Sequence, residues 1–527
     1  MIALSDINWG PTDAAAHDER FTEKFVEPIE IRQLLQNKYC IITGEKGSGK
    51  TALRQALLQK YRLNYSGVVD LDFDSLEYTS IVLNLNQLSQ VTNIPRLSML
   101  TNYWQYVLLV QSMKEFVSRV DMPANLDYGI LHNYLSKNHI IESSNLMLFL
   151  SLISKCWTFI DSYTRPSEHK GVNELPFLPS NLAPEIIEQV KDYPMLNPEF
   201  LQVCKIFEGL LRGRGEQCLI ILDGFDRFEN KEAIKSDINL IFESLVEAVY
   251  SLSINSKWHD SISIKALIPH DRYLKINLRD SDKFGERQKS IKWTHAGLQE
   301  LLTRRGKLHP KLSRFVEFDK LWREIMPEHL ENPYYKLPER SFDYLLRHTM
   351  HRPRQLQIHL QMLSEQFPDQ NIDAKMIPKA VRQSCRKIVE YYIREYYIDH
   401  PNLDKFIARF HEKPNVLPYQ EFRDIVIETI RQYSVQGWNI DAKIDALYEM
   451  GFFGVIQDIA EHHPIVDDEF SYLPPRKTGA TPYRVMFYYK NPRSRIINRL
   501  RDDNLIALHP IFFDYADMKP HPNIIVG

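Results

Sequence analysis

The feature that most constrains this chain is a glycine cluster between a strand-like segment and a helical one. Residues 38–43 (KYCIIT) form a short apolar run rich in β-forming residues, and residues 52–61 (ALRQALLQKY) have helical composition and spacing. Gly44, Gly47 and Gly49 lie between them, although the 527-residue chain has only 19 glycines, about half the usual frequency of ~7%. The low glycine content favours a helix-rich chain and singles out this loop.

The loop matches the phosphate-binding pattern G-x-x-x-x-G-K-[ST], and the strand before it and the helix after it are the context that this pattern requires. Glycines let the backbone turn sharply and direct N–H groups at phosphate oxygens, and the helix N-terminus adds a favourable dipole. A lysine and a hydroxyl at the end of the pattern reach the β- and γ-phosphates and Mg²⁺. The residues predicted to bind the nucleotide here are Gly44, Glu45, Lys46, Gly47, Ser48, Gly49, Lys50 and Thr51.

A second apolar run supplies an acidic residue for the metal ion. Residues 218–222 (CLIIL) precede Asp223, and a carboxylate at the tip of a nearby strand holds Mg²⁺ in phosphate-loop proteins. Asp226 is well placed to orient or deprotonate the attacking water; the alternative is a salt bridge or a helix N-cap. We predict catalytic roles for Lys50, Asp223 and Asp226, with Mg²⁺ held by Thr51 and Asp223. No guanine-reading NKxD motif follows in the expected order, so ATP is the predicted nucleotide.

The distribution of strand-like runs predicts an α/β fold. Two further runs, Val68–Phe73 and residues 261–268 (SISIKALI), bring the short buried-type strands to four. Helical segments separate them, which indicates a parallel sheet. The separation between Thr51 and Asp223 far exceeds one crossover connection, so we predict a helical insertion. The predicted parts are a lead segment at 1–30, an ATPase core at 31–295 with the insertion at about 90–210, a helical lid at 296–410 and a smaller α+β domain at 411–527.

Bulk composition excludes several classes of protein. Lys plus Arg is 65 and Asp plus Glu is 68, which excludes a polycationic nucleic-acid coat but leaves a local basic patch open. The five cysteines are an odd number without CxxC or zinc spacing, which favours a reducing compartment and no structural metal. The N-terminus lacks the basic and apolar regions of a signal peptide, and the most apolar stretch is too short to span a bilayer. We therefore expect a cytoplasmic protein without a membrane partner.

Several motifs together resemble one family. Residues 221–230 (ILDGFDRFEN) are similar to the Walker B segments of STAND, NACHT and KAP-type P-loop ATPases, rather than to the hhhhDE segments of AAA+ motors. Residues 43–53 (TGEKGSGKTAL), 351–360 (HRPRQLQIHL) and 447–455 (LYEMGFFGV) fit bacterial STAND-like ATPases. The resemblance implies a P-loop NTPase sheet, an all-α lid and a C-terminal winged-helix-like domain.

The same resemblance implies a function. Proteins of this kind are commonly ATP- and Mg²⁺-dependent switches that oligomerise and control an effector protein encoded nearby, and many belong to bacterial anti-phage defence modules. Gly224 stands where a motor ATPase carries its catalytic glutamate. The expected ATP hydrolysis is therefore slow or dependent on Asp226.

Arginines outside the phosphate loop are further candidates. In HRPRQL, Arg354 resembles the lid arginine that contacts the nucleotide in such ATPases; the alternative is a surface arginine. Asp271 and Arg272 occupy the place of a γ-phosphate sensor, or form a turn with a surface ion pair. Arg304 and Arg305 are candidates for an arginine finger between subunits, or complement a helix dipole.

The C-terminal region suggests a second function. Residues 476–501 contain eight basic residues, no acidic ones and several aromatic ones, as a wing that contacts phosphates would. The alternative function is a DNA-binding ATPase resembling origin-recognition proteins, in which Arg493, Arg495 and Arg499 contact duplex DNA. A winged helix that only packs on the ATPase is the competing interpretation. A small-molecule kinase is a weaker third hypothesis, because nothing identifies an acceptor pocket.

Overall fold

The structure is a computed structural model that divides into two compact units. The parallel-sheet unit comprises Ile29–Glu45 and Lys50–Ile291, and the mixed unit comprises Met1–Pro28, Lys46–Gly49 and Lys292–Gly527. The structure describes residues 2–11, 20–26, 31–72, 96–120, 124–141, 198–224, 238–255, 258, 260–276, 284–397, 399–433, 439–458, 483–488, 500–521 and 524.

The parallel-sheet unit contains a five-stranded sheet in the order β2-β3-β4-β1-β5. Every pair of neighbouring strands is parallel, which confirms the predicted α/β class. The strands β1, β3 and β4 are buried along their whole length, as expected for a sheet covered on both faces. The strands are β1 Ile41–Gly44, β2 Gly67–Asp72, β3 Cys218–Asp223, β4 Ile262–Pro269 and β5 Gln288–Ser290.

Helices of the same unit share one apolar core with this sheet. The longest, Arg96–Arg119, packs against Ile238–Ile254, where the Trp104 indole N–H donates to Ser244 Oγ at 3.1 Å. The described part of the predicted insertion at about 90–210 contributes to this core. Numbered along the chain, the helices of this unit are α2 Ile31–Leu34, α3 Lys50–Gln59, α4 Arg96–Arg119, α5 Leu126–Lys137, α6 Pro198–Arg214, α7 Ile238–Ile254 and α8 His270–Lys275; Arg62–Asn64 is a 3-10 turn.

The mixed unit combines helices with two antiparallel sheets. One sheet pairs β6 His329–Glu331 with β7 Pro338–Arg340, and the other has the order β10-β9-β11-β8. The four strands of the second sheet are β8 Val416–Pro418, β9 Phe453–Asp458, β10 Tyr483–Phe487 and β11 Leu505–Leu508. Its helices are α1 Phe21–Lys24, α9 His295–Gly306, α10 Phe318–Ile325, α11 Ser341–Arg347, α12 Pro353–Gln366, α13 Met376–Glu395, α14 Leu403–Ala408, α15 Tyr419–Gln432 and α16 Ile440–Glu449, with 3-10 turns at Leu4–Asp6 and Pro510–Phe512.

A continuous apolar core holds the mixed unit together. It includes Leu4 near the N-terminus, Leu302 and Leu356 in the predicted lid, and Phe452 and Phe512 in the predicted C-terminal domain. The mixed unit is mainly helical before its four-stranded sheet, but the short strands β6 and β7 lie within 296–410, so the prediction of an all-α lid there is wrong in this respect. Its division at residue 410 and its winged-helix character stay predictions. No helix among the described residues is long and apolar enough to cross a membrane.

Candidate functional site

The glycine loop lies at the carboxyl end of the sheet. Strand β1 ends at Gly44 and helix α3 begins at Lys50, as the predicted strand-loop-helix order requires. Gly47 has φ +80° and Gly49 has φ +105°, a backbone region that favours glycine. A methyl group at Gly47 would also lie 3.0 Å from Cβ of Arg354. Gly47 is therefore required by both its backbone conformation and its close neighbour.

The loop presents polar groups that suit a phosphate chain. The Lys50 ammonium donates to the carbonyl oxygens of Gly44 at 2.8 Å and Glu45 at 3.3 Å, and its side chain is buried. Ser48 is buried, and its hydroxyl has no hydrogen-bond partner among the described residues. A buried hydroxyl without a partner is unfavourable unless a ligand completes it. The residues of the loop therefore fit a bound phosphate group.

The direction of the strand connections reverses beside this loop. The chain leaves β1 toward β2 at one edge of the sheet, and it leaves the neighbouring β4 toward β5 at the opposite edge. Ligands of open α/β sheets bind at such a reversal, outside the carboxyl ends of the strands. Gly44 is directly opposite Pro269 at the end of β4. The phosphate loop therefore occupies the position where this kind of sheet binds ligands.

The predicted metal ligands lie at the same edge of the sheet. Asp223 is the last residue of β3 and is buried, and Thr51 is in the first turn of α3. The described residues include no group of three or more His, Cys, Asp or Glu side chains that could hold a metal ion. Mg²⁺ usually keeps several waters and binds one or two protein groups together with substrate phosphates. One carboxylate and one hydroxyl therefore fit Mg²⁺ bound with a nucleotide.

Two residues beside Asp223 were missed by the sequence interpretation. Arg54 of α3 donates to both carboxylate oxygens of Asp70 on β2, at 2.7 and 2.8 Å. Its guanidinium also lies 4.0 Å from the Asp223 carboxylate. Arg54 follows Lys50 by four residues, so it lies on the same face of the helix, and this spacing is the signal that could have identified it. The pair with Asp70 keeps a cation next to the predicted metal ligand.

Asp271 and Arg272 lie in the first turn of helix α8, which begins at His270 directly after β4. Arg272 is buried, and its Nε lies 3.5 Å from the Asp271 carboxylate. Burial of the guanidinium disagrees with the alternative of a surface ion pair. Because β4 is the neighbour of β1, these residues lie at the correct end of the sheet for a γ-phosphate sensor, and this role stays a prediction.

The first turn of α12 contacts the phosphate loop within the mixed unit. Pro353 is at the first helical position, and Arg354 lies against Gly47. The preceding Arg352 donates to the carbonyl oxygen of Lys46 at 3.3 Å and pairs with Glu395 at 3.2 Å. Arg354 therefore lies beside the loop that it was predicted to serve. The contact of Arg352 was missed, although HRPRQL contains both arginines.

Two side chains hold segments close to the loop in place. The Trp293 indole N–H donates to the Ser48 carbonyl oxygen at 2.7 Å. Lys265 of β4 is fully buried, and its ammonium donates to the carbonyl oxygens of Gln36 and Tyr39, both at 2.7 Å, just before β1. Burial lowers the pKa of Lys265 to about 7. Sequence patterns did not identify either residue, because an isolated Trp or Lys carries no local signal.

Other predicted residues do not enter this site. Arg304 donates to the Phe25 carbonyl oxygen at 2.8 Å, and Arg305 donates to that of Trp9 at 2.6 Å. Both arginines therefore anchor the N-terminal segment within the mixed unit. Asp226, Arg493, Arg495 and Arg499 lie outside the described residues. The predictions of a water-activating Asp226 and of DNA contacts stay untested.

No protein-family model, curated protein or solved structure matches this chain.

Proposed function

We propose that this protein binds ATP with Mg²⁺, hydrolyses it slowly, and acts as a nucleotide-dependent switch of the STAND-like type. The observation that carries the proposal is the glycine loop with the buried Lys50 at the strand reversal of a parallel sheet. Two further observations support it: the Ser48 hydroxyl has no hydrogen-bond partner among the described residues, and strand β3 ends at the buried Asp223.

Each residue of the site would have a separate role in binding the nucleotide and Mg²⁺. Loop N–H groups and the Lys50 ammonium bind phosphate oxygens, and Thr51 and Asp223 hold Mg²⁺. When bound, Mg²⁺ neutralises charge on the β- and γ-phosphates. Lys50 now donates to loop carbonyls, so it would exchange these partners for phosphate oxygens. Asp226 is the proposed residue that orients the attacking water.

The backbone after Asp223 supports a switch rather than a motor. Gly224 has φ +89°, a conformation that is unfavourable for any residue with a Cβ atom. A glutamate at this position would add strain to the strand end. The site therefore does not offer a motor's carboxylate next to Asp223, and slow turnover allows the ATP state to persist.

Contacts of α12 supply a route from nucleotide to protein conformation. Arg354 lies against Gly47, and Arg352 holds the Lys46 carbonyl oxygen. A nucleotide that reshapes the loop would change both contacts at once. We propose that this change alters self-assembly and the binding of an effector protein, as in a defence module.

Light scattering of the purified full chain with Mg²⁺-ATP and with Mg²⁺-ADP tests the switch. We expect different assembly states, a difference that Arg354→Ala removes and the exposed control Arg386→Ala retains. Identical assembly with both nucleotides, in the wild type and with the candidate effector present, would contradict the switch while leaving ATP binding intact.

A further inference from the structure

A cavity in the mixed unit lies between helices α12 and α13. Its volume is about 320 Å³, at the lower end of ligand-binding pockets, which span ~300–1,000 Å³. The two helices pack on each other, and His359 Nδ1 and Ser384 Oγ share a hydrogen bond of 2.6 Å between them. The walls of the cavity are therefore held by packed helices.

The lining of the cavity is strongly cationic. It contains five cationic side chains and one carboxylate, namely Lys46, Arg352, Arg354, Lys387, Arg394 and Glu395. Arg352 pairs with Glu395, so the one carboxylate among the described residues of the lining is already engaged. In the part of the chain that the structure describes, the side chains of Lys46, Lys387 and Arg394 form no hydrogen bond or ion pair. Unpaired cations in a concave surface create a positive potential that attracts anions.

An aromatic ring lies between two of these cations. Lys387, Tyr391 and Arg394 follow the spacing i, i+4, i+7, so they share one face of α13. Tyr391 is 45% exposed although it lines the cavity. The neighbouring Tyr392, by contrast, is buried and donates to the Met450 carbonyl oxygen at 3.3 Å. Tyr391 therefore offers a ring for stacking, with a cation on either side.

We propose that this cavity is a second binding site, which takes a nucleoside di- or triphosphate in addition to the one in the phosphate loop. The base stacks on Tyr391, as bases stack on tyrosines elsewhere. The phosphates accept hydrogen bonds from Lys387, Arg394 and Lys46, which are charge-assisted and therefore strong. This site shares Lys46 with the phosphate loop but uses none of Lys50, Thr51 and Asp223.

Calorimetric titration of the full chain with Mg²⁺-ADP measures the number of bound nucleotides. We expect two equivalents for the wild type and one for the double variant Lys387→Ala/Arg394→Ala. Adding Lys50→Ala to the double variant should leave none. The matched control is Lys379→Ala/Arg386→Ala, which removes two exposed charges from a different face of the same helix and should retain both equivalents.

The possible outcomes separate this inference from the proposed function. One equivalent in the wild type, or two in a double variant that still unfolds cooperatively, overturns the second site. If Lys50→Ala alone changes nothing but the double variant loses one equivalent, the phosphate-loop assignment fails and the second site is supported.

The role of the ring has its own test. In the Lys50→Ala background, Tyr391→Ala should weaken ADP binding roughly tenfold and leave pyrophosphate binding unchanged, because only the base of ADP stacks on the ring. Equal losses for both probes would show that the cavity selects phosphates alone, which overturns the assignment of a nucleotide.

Discussion

At the scale of single residues, the glycines of the phosphate loop have different roles. A methyl group at Gly49 would meet no atom of the described residues within 4 Å, so its φ of +105° alone favours glycine. Gly47 combines a φ of +80° with a methyl position 3.0 Å from Arg354 Cβ. Backbone conformation alone therefore favours glycine at position 49, whereas backbone conformation and close packing both favour it at position 47.

Gly47→Ala should therefore impair the site. We expect at least about a tenfold lower ATPase rate and a loss of roughly 1–3 kcal/mol in the free energy of unfolding, because both backbone strain and a close contact are introduced. The matched control is Gly209→Ala, within α6, where the added methyl group meets open space. That change should stabilise the protein by about 0.5–1 kcal/mol. An unaltered ATPase rate in Gly47→Ala would refute the role of this glycine.

The buried Lys265 should make the stability of the protein depend on pH. Its pKa is about 7 in the folded protein and about 10.4 in an unfolded chain. Between these values the unfolded chain binds more protons, so the free energy of unfolding rises with pH; below pH 7 both states are protonated and the contribution is constant. We expect the free energy of unfolding of the wild type, measured with urea, to rise by roughly 1–3 kcal/mol more than that of Lys265→Met between pH 7 and pH 9. Parallel pH profiles would contradict the buried, shifted lysine.

At the scale of secondary-structure elements, apolar patterns predicted four of the five strands of the parallel sheet. The predicted Val68–Phe73 and 261–268 differ by a residue from the observed Gly67–Asp72 and Ile262–Pro269. Strand β5, Gln288–Ser290, was not predicted because its three residues are polar and half-buried. It forms because β1 offers an edge for pairing and Gln288 donates to Thr43 Oγ1 at 2.5 Å. Such tertiary pairing leaves no local pattern in the sequence.

The antiparallel sheet of the mixed unit depends on one glycine of β9. A methyl group on Gly454 would lie 2.8 Å from Val485 Cγ1 and 3.1 Å from the Met486 carbonyl oxygen of β10. We expect Gly454→Ala to lower the free energy of unfolding by about 1–3 kcal/mol, because the paired strands must move apart to make room for the methyl group. Thermal unfolding measures this loss, and a melting temperature equal to that of the wild type would show that β9 and β10 do not pair as described.

At the scale of the whole molecule, the chain does not divide at a single point. The mixed unit contains Met1–Pro28 and Lys292–Gly527, and the parallel-sheet unit lies between them in sequence. The sequence predicts a lead segment at residues 1–30. Leu4, Ile7 and Trp9 nevertheless belong to the apolar core of the mixed unit. A distant partner of this kind is invisible to local patterns, because the contacting residues are some 300 positions apart, as for Trp9 and Arg305.

Arg305→Ala distinguishes an anchor from an arginine finger. Arg305 donates to the Trp9 carbonyl oxygen at 2.6 Å, so the substitution should lower the free energy of unfolding by about 1–3 kcal/mol. The ATPase rate per folded molecule should stay unchanged. The exposed Arg314 provides a control substitution without such an anchor. A lower ATPase rate at unchanged stability would instead support a role between subunits.

The most direct test of the phosphate-loop site is the steady-state hydrolysis of Mg²⁺-ATP by the wild type, Lys50→Ala and the exposed control Lys205→Ala. A hydrogen bond from a charged donor contributes roughly 1.5–3 kcal/mol to binding. Its loss in Lys50→Ala should therefore lower the rate of ATP hydrolysis by about tenfold or more. We predict slow hydrolysis by the wild type and an equal rate for Lys205→Ala. A Lys50→Ala protein that hydrolyses ATP at the wild-type rate would contradict the assignment.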